Sequence, residues 1–284
     1  MRRCFRLISV PGIWNAWEPW TPCTKTCGQG QSSRSRTCDD TAYGDLTEPC
    51  IGESDERKIC NNFDCEPYQA TCKDWGDLGL EDSTEADVQP LQNQPPGKVY
   101  CDMESEGGIG ITIIRHKQQD ERVLVTGFET PGEYYVHLQY SVTFDQAVRI
   151  VDLSSKCSQF LQWECKESNI HSSSDPKKWT TYWMNRHGRN PKYFPGATPG
   201  DGKCACGVTE TCANVTLPCN CDLNDDTLRA DGGDITEKDQ LPVKTFHAGD
   251  TGDDSLSEYG YWTIGPLAKE EHVTLRHVAV LQSD

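Results

Sequence analysis

The densest group of residues that could do chemistry is a cluster of five cysteines: Cys204, Cys206, Cys212, Cys219 and Cys221. Thiolates at this density could hold zinc, but paired zinc ligands are usually separated by two to four residues, and Cys-x-Cys is atypical. We favour disulfides, because the chain has 16 cysteines in 284 residues, far above cytosolic usage. The sequence leaves open how this odd-numbered cluster and Cys4 are paired.

A second group with metal-binding chemistry follows the cluster. Asp222, Asn224 and Asp226 match the first half of a calcium-binding loop. Thr227 stands where that loop needs glycine, and Gly233 stands where it needs glutamate, so the alternative is a solvated acidic turn. A second acidic loop with the same two interpretations contains Asp250, Asp253 and Asp254.

Catalytic motifs are not found in the sequence. The chain lacks His-Glu-x-x-His, Gly-x-Ser-x-Gly and a phosphate-binding loop, and its seven histidines are scattered. We therefore predict a protein that is not an enzyme. We predict no cofactor, with bound calcium as the alternative.

Composition restricts the partners and the compartment. A net charge of −17 and a pI near 4.8 disfavour nucleic acid as a partner. No apolar run is long enough for a membrane span. Cysteine usage predicts a secreted or extracellular protein.

The N-terminus only partly resembles a signal peptide. Its start carries Arg2, Arg3 and Arg6, as a signal peptide would, but Arg6, Ser9 and Pro11 interrupt the apolar stretch that should follow. We expect an incomplete or rearranged N-terminus.

Three tryptophans recur at a period of three, which is typical of neither a helix nor a half-buried strand: Trp14, Trp17 and Trp20. An extended, rippled strand would point all three rings the same way. Arg34 and Arg36 alternate along a following strand and so lie on one of its faces. We predict a stacking ladder of guanidinium groups between indole rings, each contact contributing about 0.5–2 kcal/mol.

The residues around this ladder complete a known pattern. The pattern is Trp14-x-x-Trp17-x-x-Trp20-x-x-Cys23-x3-Cys27-Gly28-x-Gly30, then Arg34-x-Arg36-x-Cys38, and finally Cys50, Cys60 and Cys65. It resembles a thrombospondin type-1 repeat. The resemblance implies an elongated, three-stranded fold. It also implies three disulfides, each stabilising by about 3–4 kcal/mol in the loop-entropy model: Cys23–Cys60, Cys27–Cys65 and Cys38–Cys50.

The same resemblance implies glycosylation. Trp14 and Trp17 each begin a Trp-x-x-Trp, similar to the C-mannosylation motif of that family, and Thr26 lies in a motif similar to its O-fucose site. The alternative is that these residues only build the fold. Asn214 begins an N-glycosylation acceptor. Sulfated glycans are disfavoured as ligands here, because residues 14–65 hold five basic against nine acidic residues and Ser32 occupies the third ladder position.

The remainder of the chain has a different pattern. Segments 99–101, 109–114, 123–125 and 134–140 are strand-like. One apolar helix face is formed by Phe144, Ala147, Val148 and Val151. Two disulfides are expected: Cys72–Cys101, which would close the 81–97 loop, and Cys157–Cys165, which would join a helix end to the next strand.

Ordered motifs in this region resemble a fibrinogen C-terminal-like domain of the type found in contactin-associated proteins. They are Gly97-Lys98-Val99-Tyr100-Cys101-Asp102-Met103, Cys157 and Cys165, Trp183-x-x-Arg186, Cys204-x-Cys206-Gly207, Cys219-Asn220-Cys221-Asp222, Leu241-Pro242-Val243 and Gly265-Pro266-Leu267. The predicted fold is mostly β and disulfide-rich. Its segments are an irregular N-terminus (1–13), an elongated three-stranded thrombospondin type-1 repeat (14–65), an α+β fibrinogen C-terminal-like domain (66–268) and a tail (269–284).

Function follows from this organisation as a hypothesis. We expect a secreted glycoprotein of the extracellular matrix or of cell adhesion, which binds extracellular or cell-surface proteins without catalysis, with glycans as a further class of partner. One alternative is a calcium-dependent, fibrinogen-like lectin, as the second resemblance implies. Another is an acidic component of a calcium-rich, mineralising matrix, which rests on the net charge alone.

Overall fold

The computed structural model describes residues 10–39, 47–63, 65, 68–119, 121–175, 177–252 and 257–268. Predictions for Cys4, for residues 1–9, for Asp253 and Asp254 and for the tail 269–284 lie outside these residues. The chain divides into two compact units. Unit 1 comprises residues up to 67 together with Leu91–Pro95, and unit 2 comprises Tyr68–Pro90 together with Pro96–Asp284.

Unit 1 is built from short strands. They are β1 (Val10–Pro11), β2 (Ile13–Trp14), β3 (Gly30–Ser35), β4 (Cys38–Asp39), β5 (Thr47–Glu48) and β6 (Asp55–Cys60). β3 and β6 are antiparallel, with Gly30 opposite Cys60 and Ser35 opposite Asp55. β2 pairs antiparallel with β4, and β1 pairs in parallel with β5.

Residues 15–24 run beside β3 as a rippled strand. Its backbone N–H groups donate to carbonyl oxygens across the gap at 2.8–3.0 Å, in the pairs Asn15–Thr37, Glu18–Ser35, Thr21–Ser33 and Thr24–Gln31. The donors are three residues apart, whereas the acceptors are two residues apart. Every third residue of the rippled strand therefore meets every second residue of β3, where side chains of one face recur at period two.

Unit 1 has no apolar interior among its described residues. Gly30 and Ser32 are the buried positions there, and the Ser32 hydroxyl donates to the carbonyl oxygen of Thr21 at 2.6 Å. Three disulfides connect the strands and turns: Cys23–Cys60, Cys27–Cys65 and Cys38–Cys50. These are the pairs that the thrombospondin resemblance implies.

Unit 2 contains ten strands, three α-helices and three short 3-10 helices within the described residues. The strands are β7 (Thr84–Val88), β8 (Gly97–Asp102), β9 (Ile111–Ile114), β10 (Val123–Val125), β11 (Tyr134–His137), β12 (Ser158–Lys166), β13 (Tyr182–Met184), β14 (Arg229–Ile235), β15 (Thr245–Ala248) and β16 (Tyr259–Ala268). The α-helices are α1 (Cys72–Asp77), α2 (Phe144–Leu153) and α3 (Ala205–Thr209).

Two antiparallel sheets organise unit 2. The larger sheet has seven strands in the order β14-β12-β16-β9-β8-β7, with β10 also paired to β16. The smaller sheet has the order β11-β15-β13. Along β12, buried residues alternate with half-buried ones, which is the pattern of a strand with one face on the core. The prediction of a mostly β, disulfide-rich chain is confirmed.

The core of unit 2 is aromatic and is organised by one buried amide. Trp163 and Trp262 lie 5.7 and 6.0 Å from the ring of Phe246, and all three are fully buried. Gln159 is also fully buried; its Nε2 donates to the carbonyl oxygen of Gly265 at 3.1 Å, and its Oε1 accepts from the N–H of Val243 at 3.0 Å. The amide is satisfied and therefore fixes the register of three segments.

Helix α2 begins where the sequence predicts a helix. Thr143 and Gln146 form a capping box, in which the Thr143 hydroxyl accepts from the N–H of Gln146 and the Gln146 side chain accepts from the N–H of Thr143. The helix buries Ala147, Ile150 and Val151. At ten residues it is the longest helix that the structure describes, and none of the described helices is long and apolar enough to cross a membrane.

Four disulfides lie in unit 2 among the described residues: Cys72–Cys101, Cys165–Cys221, Cys204–Cys219 and Cys206–Cys212. The predicted pair Cys157–Cys165 is wrong. Residues 158–166 form one continuous strand, which at about 3.3 Å per residue places Cys157 and Cys165 about 26 Å apart. Cys165 instead bonds to Cys221, which resolves the odd number in the cysteine cluster.

We expect non-reducing proteolysis and mass spectrometry to recover a peptide pair that joins Cys165 to Cys221. The Cα atoms of these two residues are 5.8 Å apart, within the usual range for a disulfide. Recovery of a peptide pair that joins Cys157 to Cys165 would contradict the continuous strand β12. The pair Cys72–Cys101 serves as an internal control for complete oxidation.

Candidate functional site

The predicted stacking ladder is present in unit 1. The guanidinium carbon of Arg36 lies 4.3 Å from the ring centres of both Trp14 and Trp17. That of Arg34 lies 4.9 Å from Trp17 and 4.7 Å from Trp20. The two cations thus alternate with the three indoles. The three-to-two register of the rippled strand against β3 brings these different spacings together.

Hydrogen bonds hold the ladder side chains in this order. Arg36 donates from Nε to the carbonyl oxygen of Glu53 at 3.0 Å, and Trp14 donates from Nε1 to that of Ile51 at 2.8 Å. Arg34 forms an ion pair with Glu56, with its Nε 2.8 Å from Oε2. The turn before β6 and β6 itself therefore orient the ladder from the far side.

The third ladder position is filled by a residue that sequence reasoning missed. Lys58 lies on β6 opposite Ser32, and its Nζ is 4.3 Å from the ring centre of Trp20. The small, buried Ser32 leaves this place for a cation from the neighbouring strand. The sequence could have indicated Lys58 only if the register between β3 and β6 had been known, because that register places Lys58 opposite Ser32.

The positions for which glycosylation is predicted lie at the surface. Trp14 and Trp17 are half-buried, and Thr26 and Asn214 are exposed. Asn214 accepts through Oδ1 from the hydroxyl of Thr216 at 2.8 Å. The glycans themselves stay predictions.

The cysteine cluster surrounds a buried carboxylate in unit 2. Asp231 on β14 is 4% exposed and accepts from the backbone N–H groups of Cys221 and Asn220 at 2.8 and 3.0 Å. Burial nevertheless raises the pKa of Asp231 to about 6, and the charge of Asp222 acts in the same direction. The hydrogen bonds of this carboxylate therefore attach the cluster to the sheet, although burying its charge is unfavourable.

Metal binding by the cluster is not favoured. Two groups of potential ligands converge among the described residues: His171–Cys219–Asp222 and Cys204–Cys219–Asp231. Cys204 and Cys219 are bonded to each other, so neither supplies a thiolate. Disulfides, as the sequence analysis favoured, account for this cluster.

The partial calcium pattern is not assembled into a common ligand set. Asp222 accepts from the N–H groups of Ile170 and His171 through Oδ1, and from Nδ1 of His171 through Oδ2 at 2.8 Å. Asn224 and Asp226 are exposed. Both oxygens of Asp222 thus serve to hold the loop after β12.

An exposed aromatic face covers the outer side of the smaller sheet. We define it as Tyr135, His137, Tyr182 and His247. Tyr135 and Tyr182 are both paired in register with His247, and their rings stack on its imidazole with centroids 5.8 and 4.7 Å away. Trp183 and Phe246 point to the opposite, buried side.

The imidazole at the centre of this face is neutral near pH 7. Burial lowers the pKa of His247, and the neighbouring His137 acts in the same direction, while a hydrogen bond to the carbonyl oxygen of Gly132 opposes the shift. Tyr135 is 61% exposed. The face therefore offers a preordered, largely uncharged aromatic surface, which is typical of interaction sites.

Comparison with known protein families identifies the domain that unit 1 forms. Residues 15–65 match the family model of the thrombospondin type 1 domain. The ladder and its three disulfides are therefore the framework of a thrombospondin type 1 domain.

Over more of its length the chain is similar to Neurexin-4 and to contactin-associated protein 1. It is 28% identical to Neurexin-4 of Drosophila melanogaster over 298 residues, which cover 94% of this chain and 22% of that protein. It is 27% identical to contactin-associated protein 1 of Mus musculus over 217 residues, 75% of this chain and 14% of the relative. The resemblance found in the motifs is confirmed, and the chain spans less than a quarter of these relatives' length.

The ladder predicts a local stability effect. Arg36→Gln removes two cation–π contacts, so we expect the free energy of local opening at β3 and β6 to fall by about 1–2 kcal/mol. Hydrogen exchange of the backbone amides in these strands measures it. Arg57→Gln, on β6, is the matched control because the structure shows Arg57 in no contact with a described tryptophan ring. Equal effects of both substitutions would contradict the ladder.

The buried Asp231 predicts a pH dependence of stability. Its folded pKa lies above its unfolded value of 3.8, so its contribution is complete below pH 3.8 and is lost as pH rises through 6. We expect Asp231→Asn to gain about 2–3 kcal/mol in unfolding free energy relative to the wild type between pH 4 and 7.5.

Urea denaturation at several pH values and constant ionic strength measures this difference. The exposed Asp226→Asn is the control and should show a flat difference. A difference that is constant with pH for Asp231→Asn would refute the prediction.

Proposed function

We propose that this chain is an adhesive region of an extracellular or cell-surface protein, and that it binds another cell-surface protein without catalysing a reaction. The aromatic face of unit 2 is the observation that carries the proposal. The thrombospondin type 1 domain, the seven disulfides among the described residues and the similarity to Neurexin-4 and contactin-associated protein 1 support it.

The aromatic face has the properties of a protein-binding surface. Tyrosine is enriched at interfaces because it combines a large apolar ring with a hydroxyl group that can form hydrogen bonds. Stacking of Tyr135 and Tyr182 on His247 orders the rings before a partner arrives, so little side-chain entropy is lost on binding. Tyr135 is a large apolar side chain that is 61% exposed, and it is therefore the expected anchor.

The proposed role of the thrombospondin type 1 domain is that of a rigid, glycosylated rod. Its ladder and disulfides replace an apolar core, so it needs little width to stay folded. Mannose on Trp14 and Trp17 and fucose on Thr26 are part of this proposal. The domain boundaries that we propose are 14–65 and 66–268.

Contactin is the first partner to test. The name of contactin-associated protein 1 states that this relative associates with contactin. We propose that the present chain binds a protein of the same kind through the aromatic face.

The test measures binding of a contactin ectodomain to the whole immobilised chain by surface plasmon resonance. We expect saturable binding that Tyr135→Ser weakens about tenfold or more, because an exposed aromatic anchor is lost. Leu228→Ser, which removes an exposed apolar side chain next to β14 of the larger sheet, should bind like the wild type.

Two outcomes would overturn the proposal. Absence of binding by the wild type to contactin and to intact cells that display adhesion proteins would do so. The second is binding that is lost on enzymatic removal of the partner's glycans and on addition of EDTA but not with Tyr135→Ser. That pattern would favour the lectin alternative.

A further inference from the structure

Strand β11 lies at one edge of the smaller sheet and carries part of the aromatic face. The sheet has the order β11-β15-β13, so β15 covers only one side of β11. In an antiparallel pair the hydrogen bonds alternate, and every second residue directs its N–H and C=O groups away from the neighbouring strand. Half of the backbone groups of β11 therefore face away from the sheet.

One hydrogen bond identifies which residues of β11 direct their backbone groups outward. The N–H of Leu138, directly after the strand, donates to the carbonyl oxygen of Lys244 at 3.2 Å. Bonding to β15 recurs at every second residue of the unbroken register, so Val136 also bonds to β15. Tyr135 and His137 therefore present their N–H and C=O groups to the open side.

These four outward groups have no hydrogen-bond partner among the described residues. Tyr135 and His137 are both exposed, Tyr135 to 61%. Natural sheets commonly protect such an edge with proline, lysine or a β-bulge. β11 contains neither proline nor lysine, and its register with β15 shows no shift. The edge can therefore accept another strand.

The chain itself pairs with the continuation of this edge. Beyond β11, the N–H of Ser141 donates to the carbonyl oxygen of Arg115 at 2.8 Å, and Gln139 accepts from the N–H of Lys117 at 3.2 Å. An antiparallel bridge lies between these two contacts. At Lys117 the chain enters a turn, and the pairing ends there. The next two outward positions, which lie in β11, have no such neighbour among the described residues.

We propose that an extended segment of the partner protein pairs with the outward edge of β11 as an added strand. Donors and acceptors that recur every two residues, about 6.7 Å apart, match the backbone of an extended polypeptide. The added strand continues the pairing that the chain makes at Gln139 and Ser141. This inference rests on the proposed adhesive function, because it states how the same region of unit 2 holds its partner.

The side chains beside this edge indicate the composition of the segment. Residues directly opposite each other in paired strands point to the same face of the sheet. The residue opposite Val136 therefore lies on the side of the half-buried Val136, and we expect it to be apolar. Its two neighbours lie beside Tyr135 and His137, on the aromatic face, where aromatic or hydroxyl-bearing side chains fit. We thus expect a β-prone segment with an apolar residue at its centre.

Two substitutions at one position separate backbone pairing from side-chain contact. His137→Ala and His137→Pro both remove the imidazole, but only His137→Pro also removes the outward N–H. Proline is tolerated on an edge strand where its nitrogen faces solvent, so the hydrogen bonds between β11 and β15 are kept. We expect His137→Pro to bind a contactin ectodomain about tenfold more weakly than His137→Ala, because a carbonyl oxygen of the partner loses its donor. Surface plasmon resonance on the whole immobilised chain measures both affinities.

Residue-resolved hydrogen exchange tests the edge without any substitution, and so also applies if His137→Pro does not fold. In the free chain we expect the amides of Tyr135 and His137 to exchange fast, and those of Val136 and Leu138 to be protected. Bound contactin should slow exchange at Tyr135 and His137. Equal protection of all four amides in the free chain would overturn the proposal, because the edge would already be paired.

The outcomes distinguish this inference from the proposed function. Binding that Tyr135→Ser weakens, but that is equal for His137→Pro and His137→Ala, keeps the adhesive function and overturns the added strand. Absence of binding by the wild type overturns both. A dimer of the chain that His137→Pro dissociates, measured by analytical ultracentrifugation, would show that a second copy pairs with β11 and would also overturn the proposal.

Discussion

In the thrombospondin type 1 domain, structure depends on the stacking of arginine between tryptophan rings. Among the described residues of unit 1 no apolar side chain is buried, so the usual driving force for folding is weak there. Stacking requires that a spacing of three in one strand meets a spacing of two in the next. The hydrogen bonds from residues 15–24 to β3 impose this match. Arg36 can then lie 4.3 Å from two indoles at once, and the disulfides hold the strands that carry them.

Unit 2 is stabilised by a conventional apolar core, and its buried polar groups lie at the edges of that core. Trp163, Trp262 and Phe246 fill the space between the two sheets. The carboxylate oxygens of Asp222 and Asp231, in contrast, accept hydrogen bonds from backbone N–H groups of loops and turns. These contacts and the disulfide Cys165–Cys221 attach the cysteine cluster to the central strands. Loops without regular hydrogen bonding are thereby held in fixed positions.

Fixed loops and a flat sheet give unit 2 two different kinds of surface. The aromatic face is displayed by strands, whose alternation points Tyr135 outward while Phe246 points to the core. A polar cavity is lined by Glu129, Asn169 and Asp250, which come from the loops after β10, β12 and β15. A surface built on strands suits contact with a protein.

The sequence by itself determined the thrombospondin type 1 domain, because its tryptophans, arginines and cysteines interact at spacings that are local and regular. It also determined the disulfide-rich β class and helix α2, whose capping and periodicity are local. It could not determine that Cys165 bonds to Cys221, or that Lys58 completes the ladder opposite Ser32, because strand register decides both. Glu129, Asn169 and Asp250 line one cavity only in the tertiary structure, since more than a hundred residues separate the first from the last, and no periodicity links loops across such a distance.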